Sequence, residues 1–221
     1  MNKTFALDVY GTLVDPLSIA GRLRRLVGDR APGFAQAWRD RQLEYTFRRA
    51  LMRCYGDFSV CTREALIHTD ARFRTALSES SIDELVNAYL ELPAYPEAHE
   101  AVASLHTAGN RVYAFSNGRP DDLQRLLEFA SLLDLLDGVV SVDPVASFKP
   151  DPAVYAHFLH SAGCVAARTW LVSGNPFDVI GARSAGWNAV WVRRDPTAVF
   201  DPWGIEPTAV VSSLRDLATM L

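Results

Sequence analysis

Asp8 ends the apolar run of "TFALD", and Gly11, Thr12 and Asp15 follow closely in "ALDVYGTLVD". A carboxylate closing a strand meant for burial costs free energy unless it is paired. Partners of suitable chemistry lie far along the chain: Ser116 and Asn117 in "FSNG", Lys149 in "SFKPDP", and Ser173, Asn175 and Asp178 in "SGNPFD". Singly, each has a structural reading. Ser116 and Asn117 suit a turn, Asn175 and Asp178 can cap a helix, Lys149 can be a solvated loop lysine, and Asp8 can be a structural partner of Lys149. Jointly they supply a held carboxylate, a cation, hydroxyl and amide donors and a second carboxylate, the materials of a site acting on a small polar molecule.

The elements around these residues predict that they converge. Thr4–Asp8 reads as a first strand, followed over 16–92 by helical periods without a convincing strand. In "AQAWRDRQLEYTFRRALMRC" the apolar positions Leu43, Phe47, Ala50, Leu51 and Cys54 recur at helical spacing, predicting one buried face. Arg39 stands four and eight residues before Leu43 and Phe47, on the same stripe. An arginine there either snorkels or meets an anion. Ser81 with Glu84 reads as a capping box opening "SIDELVNAYLEL". After Pro96, strands "RVYAFSNG", "GVVSVD", "TWLVSG" and "AVWVRR" alternate with helices predicted over "EAHEAVASLHTAG", from near Pro120, over Pro152–Ala162 and over about 177–186. Alternation of this kind predicts an α/β doubly wound parallel sheet with strands buried on both faces. The division expected is a Rossmann-like core, 1–14 and 97–221, with a helical cap subdomain inserted over 15–96. In such sheets ligands bind beyond the carboxyl ends of the strands, which is where Asp8, Ser116, Asn117, Ser173, Asn175, Lys149 and Asp178 fall.

Composition bounds the rest. The 221 residues are 49% hydrophobic, enough for a sizeable core and against disorder. A net charge of -4 without a Lys/Arg run argues against nucleic acid. No run approaches the roughly 20 apolar residues of a membrane span, and the short apolar start runs straight into Asp8, unlike a signal peptide. Cys54, Cys61 and Cys164 lack metal spacing and read as reduced thiols of a cytoplasmic protein. The histidines show no metal-ligand pattern, and the tryptophans read as core or interface.

"LDVYGTLVD", "FSNG", "SFKPDPAVY" and "SGNPFDVIGARSAGW" resemble, in order and spacing, the motifs of the haloacid dehalogenase superfamily. D-x-Y-G-T at the first strand and "WRDRQLEYTFRR" in the cap resemble more narrowly the L-2-haloacid dehalogenases. The resemblance covers nearly the whole chain. It implies covalent catalysis by Asp8. Superfamily phosphatases carry a second aspartate where Tyr10 stands and a Gly-Asp pair where Gly174-Asn175 stands, and they bind Mg²⁺. Both replacements remove negative charge, and a tyrosine, with a pKa of about 10, is a poor acid for that task.

A halide leaving group needs neither proton nor metal. The implied reaction is attack of Asp8 on C2 of a short 2-haloacid, inversion there, and hydrolysis of the aspartyl ester to an (R)-2-hydroxy acid. Arg39 is implied as halide acceptor with help from Asn117, and Lys149 as the cation that holds Asp8 ionised. Thr12, Ser173 and Asn175 position Asp8 and the water, and Asp178 activates that water directly or by orienting Lys149. Ser116 binds the substrate carboxylate with nearby backbone amides, Tyr10 and Tyr155 line the site, and Leu43, Phe58 and Phe177 keep it dry. Pro176 departs from the resembled pattern, and Asp40 and Arg41 alter the charge around Arg39, which bears on substrate size. No cofactor or metal is implied. The partners are a small haloacid and water, and a homodimer is expected from the amphipathic cap helices. The competing readings are a Mg²⁺-dependent phosphatase of the same superfamily and a catalytically silent small-acid-binding protein on this fold.

Overall fold

The computed structural model describes residues 3–217. Its centre is a parallel sheet of β1 (Thr4–Asp8), β2 (Arg111–Ser116), β3 (Gly138–Ser141), β4 (Thr169–Ser173), β5 (Asn188–Val192) and β6 (Ala209–Val211). The order across the sheet is β3-β2-β1-β4-β5-β6. Connections run outward in both directions from β1, so the switch point lies between β1 and β4, where a doubly wound sheet opens a crevice. Asp8 pairs with Phe115 on β2, and Leu7 with Val172 on β4. The last residues of β1, β2 and β4 therefore lie level at one edge. Every residue of β1 is buried, as the uninterrupted apolar run requires when both faces are covered.

Helices α5 (Ala98–Thr107), α6 (Pro120–Phe129), α7 (Pro152–Ala162) and α8 (Pro176–Ser184) alternate with the strands. Pro120, Pro152 and Pro176 each occupy a first helical position, where the missing N–H costs nothing. Between β1 and α5 come α1 (Ala20–Val27), α2 (Ala31–Leu51), α3 (Phe58–Phe73) and α4 (Glu79–Ala88), which pack chiefly on one another. The chain leaves the sheet and returns along adjacent paths: Val14 bridges Ala94, the Asp15 N–H donates to the Pro93 carbonyl at 3.0 Å and the Tyr95 N–H to Leu13 at 2.9 Å.

Two local expectations are corrected, and one strand is added. The stripe Leu43, Phe47, Ala50, Leu51, Cys54 is not the buried face of α2. That face is Ala31, Phe34, Ala35, Trp38, Arg39, Gln42 and Thr46, while Leu51 is 88% exposed and Cys54 lies beyond the helix end. Buried polar side chains won because they are paired: Gln42 donates to Thr62 Oγ1 at 2.5 Å, and Trp38 Nε1 to the Thr62 carbonyl at 2.8 Å. Hydrophobic counting cannot see such a network. The N-cap of α4 is Ser78, whose hydroxyl accepts from the Ser81 N–H, so Ser81 is inside the helix. Strand β6 has no counterpart in the sequence reading; three residues carry no period, and only pairing with β5 makes them a strand.

Candidate active site

Asp8 is 6% exposed at the end of β1, and its two oxygens are not equivalent. Oδ2 accepts from Thr12 Oγ1 at 2.7 Å, Asn175 Nδ2 at 2.8 Å and Ser173 Oγ at 3.3 Å. Oδ1 faces Lys149 Nζ at 3.3 Å. One oxygen is saturated by fixed donors; the other has a single long contact. Thr12 is held in turn, because its hydroxyl accepts the Gly174 N–H at 2.8 Å.

Lys149, 1% exposed, is fixed from several directions. Its ammonium donates to Asp178 Oδ2 and to the Phe115 carbonyl, both at 2.8 Å, and lies 4.1 Å from the centre of the Phe115 ring. Its backbone N–H donates to Asn117 Oδ1 at 3.0 Å. Asp178, fully buried in the first turn of α8, takes the Tyr155 hydroxyl on Oδ1 at 2.9 Å. One cation thus stands between two carboxylates. Burial pushes the Asp178 carboxyl above the usual aspartate range; Lys149 opposes this and Asp8 adds to it.

Arg39 reaches the same place from α2. Its Nη2 and Asn175 Nδ2 both donate to the Tyr10 carbonyl, at 3.2 and 3.0 Å, so Arg39 is linked to Asp8 through that carbonyl and the Asn175 amide. Gln42 Oε1 accepts from Arg39 Nη1 at 2.7 Å and fixes the guanidinium. Burial pushes the Tyr10 phenol far above its usual pKa, with Tyr89 adding to the effect, so Tyr10 remains a neutral ring and not an acid. Its ring centre lies 5.0 Å from that of Phe58 and 6.0 Å from that of Tyr89. These three aromatics line a cavity of about 230 Å³ with Thr62 and Asp122.

The structure thus gathers Asp8, Thr12, Lys149, Ser173, Asn175, Asp178, Arg39, Tyr10 and Phe58. Ser116 is fully buried at the end of β2, and its hydroxyl accepts the Gly118 N–H at 3.2 Å. Phe177 is half-buried, 5.0 Å from Phe47 between ring centres, and half-buried Leu43 lies on the same stripe of α2. Tyr155 differs from expectation. It is fully buried behind Asp178, its ring against Trp187 and Phe115, so it holds Asp178 instead of lining the site. Sequence reading also passed over Gln42, Tyr89 and the Phe115 carbonyl. The polar Gln42 on the stripe of Trp38 was the available signal for the first; the other two are visible only in three dimensions.

A family model for haloacid dehalogenase-like hydrolases matches residues 2–186. The (S)-2-haloacid dehalogenase of Xanthobacter autotrophicus is 40% identical over 88% of this chain and 76% of its own length. The (S)-2-haloacid dehalogenase of Pseudomonas sp. (strain YL) is 35% identical over 96% of this chain and 91% of its own. The solved structure of the L-2-haloacid dehalogenase from Xanthobacter autotrophicus with chloropropionic acid covalently bound superposes with a TM-score of 0.94 at 35% identity, covering 100% of this chain and 98% of that one.

Proposed function

This chain belongs to the haloacid dehalogenase-like hydrolases, and from that premise we propose that it is an (S)-2-haloacid dehalogenase with Asp8 as nucleophile. The observation that carries this is the asymmetric Asp8 carboxylate, with three donors on Oδ2 and Oδ1 left to react. Oδ1 attacks C2 of a short L-2-haloacid in line; the C–O bond forms as the carbon–halogen bond breaks, and the halide leaves with the electron pair. Attack from the opposite face inverts C2. The ester keeps Oδ2 as its carbonyl oxygen. When water adds to that carbonyl, Thr12, Ser173 and Asn175 already point at the oxygen where negative charge develops. Asp178 takes the water proton, held by Tyr155 and coupled to Lys149. The tetrahedral species expels the alkoxide, which is protonated to the (R)-2-hydroxy acid, and Asp8 is regenerated.

Arg39 receives the departing halide, aided by Asn117. Asn117 Oδ1 is engaged by Lys149, which leaves Nδ2 to donate. Ser116 and neighbouring backbone N–H groups take the substrate carboxylate. Leu43, Phe58 and Phe177 exclude water. The reaction needs no metal: the Lys149 ammonium supplies positive charge between the two carboxylates, and neutral Tyr10 and Asn175 stand where metal-dependent phosphatases carry acidic groups. The chain divides into a core of 1–14 and 97–221 and a cap of 15–96. It works as a homodimer, supported by exposed Leu51 and Met52 at the end of α2, and in the cytoplasm, supported by three free thiols.

The test is halide release from L-2-chloropropionate, with none from the D enantiomer, unaffected by EDTA. Single turnover in ¹⁸O-water should place the label in Asp8, and Asp8→Asn should abolish steady turnover. Full turnover by Asp8→Asn, or label confined to the product, overturns the mechanism.

A further inference from the structure

We propose that Arg194, held by Glu97, is a positioning residue for this reaction, clamping the turn that presents Asp8 to the segment that returns from α1–α4 to the sheet. The proposal rests on the role given to Asp8 above. Arg194 follows β5 and lies far from Asp8 in sequence, but its guanidinium reaches the nucleophile's turn from outside. Nη1 donates to the Gly11 carbonyl at 3.2 Å and Nη2 to the Thr12 carbonyl at 2.8 Å. Nε donates to Glu97 Oε1 at 2.9 Å, and the guanidinium carbon lies 3.7 Å from the centre of the Tyr95 ring. Glu97 is 8% exposed and the Arg194 side chain 23%, so the pair is partly buried.

The turn shows why the clamp matters. The N–H groups of Thr12, Leu13 and Val14 all converge on the Val9 carbonyl, at 3.2, 2.9 and 3.0 Å. Gly11, at φ 92°, has the positive φ that reverses the chain there. The Gly11 and Thr12 carbonyls are taken by Arg194. With both peptide planes held from the carbonyl side, the direction of the Thr12 side chain is set, and that hydroxyl donates to Asp8 Oδ2 at 2.7 Å. A continuous chain of bonds therefore runs Glu97–Arg194–Thr12–Asp8. Tyr95, stacked under the same guanidinium, belongs to the returning segment and donates its N–H to Leu13 of the outgoing one. The nucleophile's turn and the returning segment therefore meet at one side chain. Only a planar fork spans two carbonyls and a carboxylate while offering a face to an aromatic ring; a lysine ammonium cannot.

The experiment compares full-length Arg194→Gln, Arg194→Lys and Glu97→Gln with the wild type. It reads steady-state halide release, thermal midpoint, and amide hydrogen exchange in the peptide spanning 9–15. Arg194→Gln is expected to lower kcat by about tenfold to a hundredfold, the range for a small misplacement of a reacting group, with KM within about twofold. Exchange over 9–15 should rise, and low, non-denaturing guanidinium should restore part of the lost kcat in Arg194→Gln and not raise that of the wild type. Arg194→Lys should recover little, and Glu97→Gln should show a smaller loss in the same direction. Wild-type exchange over 9–15 in Arg194→Gln overturns the proposal, as does a loss of activity that merely tracks the unfolded fraction. If the wild type releases no halide, the dehalogenation reading fails separately, and hydrogen exchange still decides the clamp.

Discussion

Asp178 shows how a single residue's surroundings set its chemistry. Burial alone makes its ionised form costly, while Lys149 Nζ at 2.8 Å and the Tyr155 hydroxyl at 2.9 Å favour that form. Burial wins, and the carboxyl titrates above the ordinary value of 3.8. The folded protein therefore binds this proton more tightly than the unfolded chain does. Stability from that proton is fully present below the unfolded value and is lost as pH rises through the folded one. A base must be ionised to take the water proton, so where ester hydrolysis limits turnover the acid limb of kcat should lie above pH 3.8. Tyr155→Phe removes a hydrogen bond that favours the carboxylate, so the limb should move to higher pH; a pH–rate profile checks the direction. An unmoved limb would mean that Asp178 is not the group titrating.

At the scale of elements, the site depends on two loops meeting closely. The turn after β1 and the loop after β4 touch at Gly174, where an added Cβ would lie 2.4 Å from the Gly11 carbonyl oxygen. Backbone faces backbone, so no flexible side chain can yield. Gly174→Ala must push the loops apart, drawing Ser173 and Asn175 away from Asp8 Oδ2. Overpacking of this kind costs about 1–3 kcal/mol, so the urea midpoint should fall at unchanged m-value. Turnover should fall with it, and an unchanged midpoint with full turnover would contradict the arrangement. Helix α2 makes a related point: its buried side carries the Arg39, Gln42 and Thr46 polar side chains among apolar ones, while Leu51 and Met52 at its C-terminal end are exposed.

At the scale of the molecule, those outward residues become a surface. Leu51 and Met52 are 88% and 71% exposed, and adjacent exposed apolar side chains of this size suit contact with a second copy. Sedimentation velocity at micromolar concentration should show a dimer, and Leu51→Glu with Met52→Glu should yield a folded monomer. A monomeric wild type would remove the assembly from the account without touching the chemistry at Asp8.

The strands from Thr4–Asp8 to "AVWVRR", the alternation after Pro96, and Asp8, Lys149 and Asp178 as one cluster were all legible in the chain. Buried parallel strands need uninterrupted apolar runs, and such sheets place chemistry at their carboxyl ends. Tyr10 was legible too, because its chemistry follows from residue type. The tertiary structure alone decided which face of α2 is buried, that Tyr155 stands behind Asp178, that Ala209–Val211 is a strand, and that Arg194 reaches back to Gly11 and Thr12. Each of these depends on a partner distant in sequence. A hydrogen bond between remote segments leaves no period in the chain, and a polar residue is buried only where the fold brings it a mate.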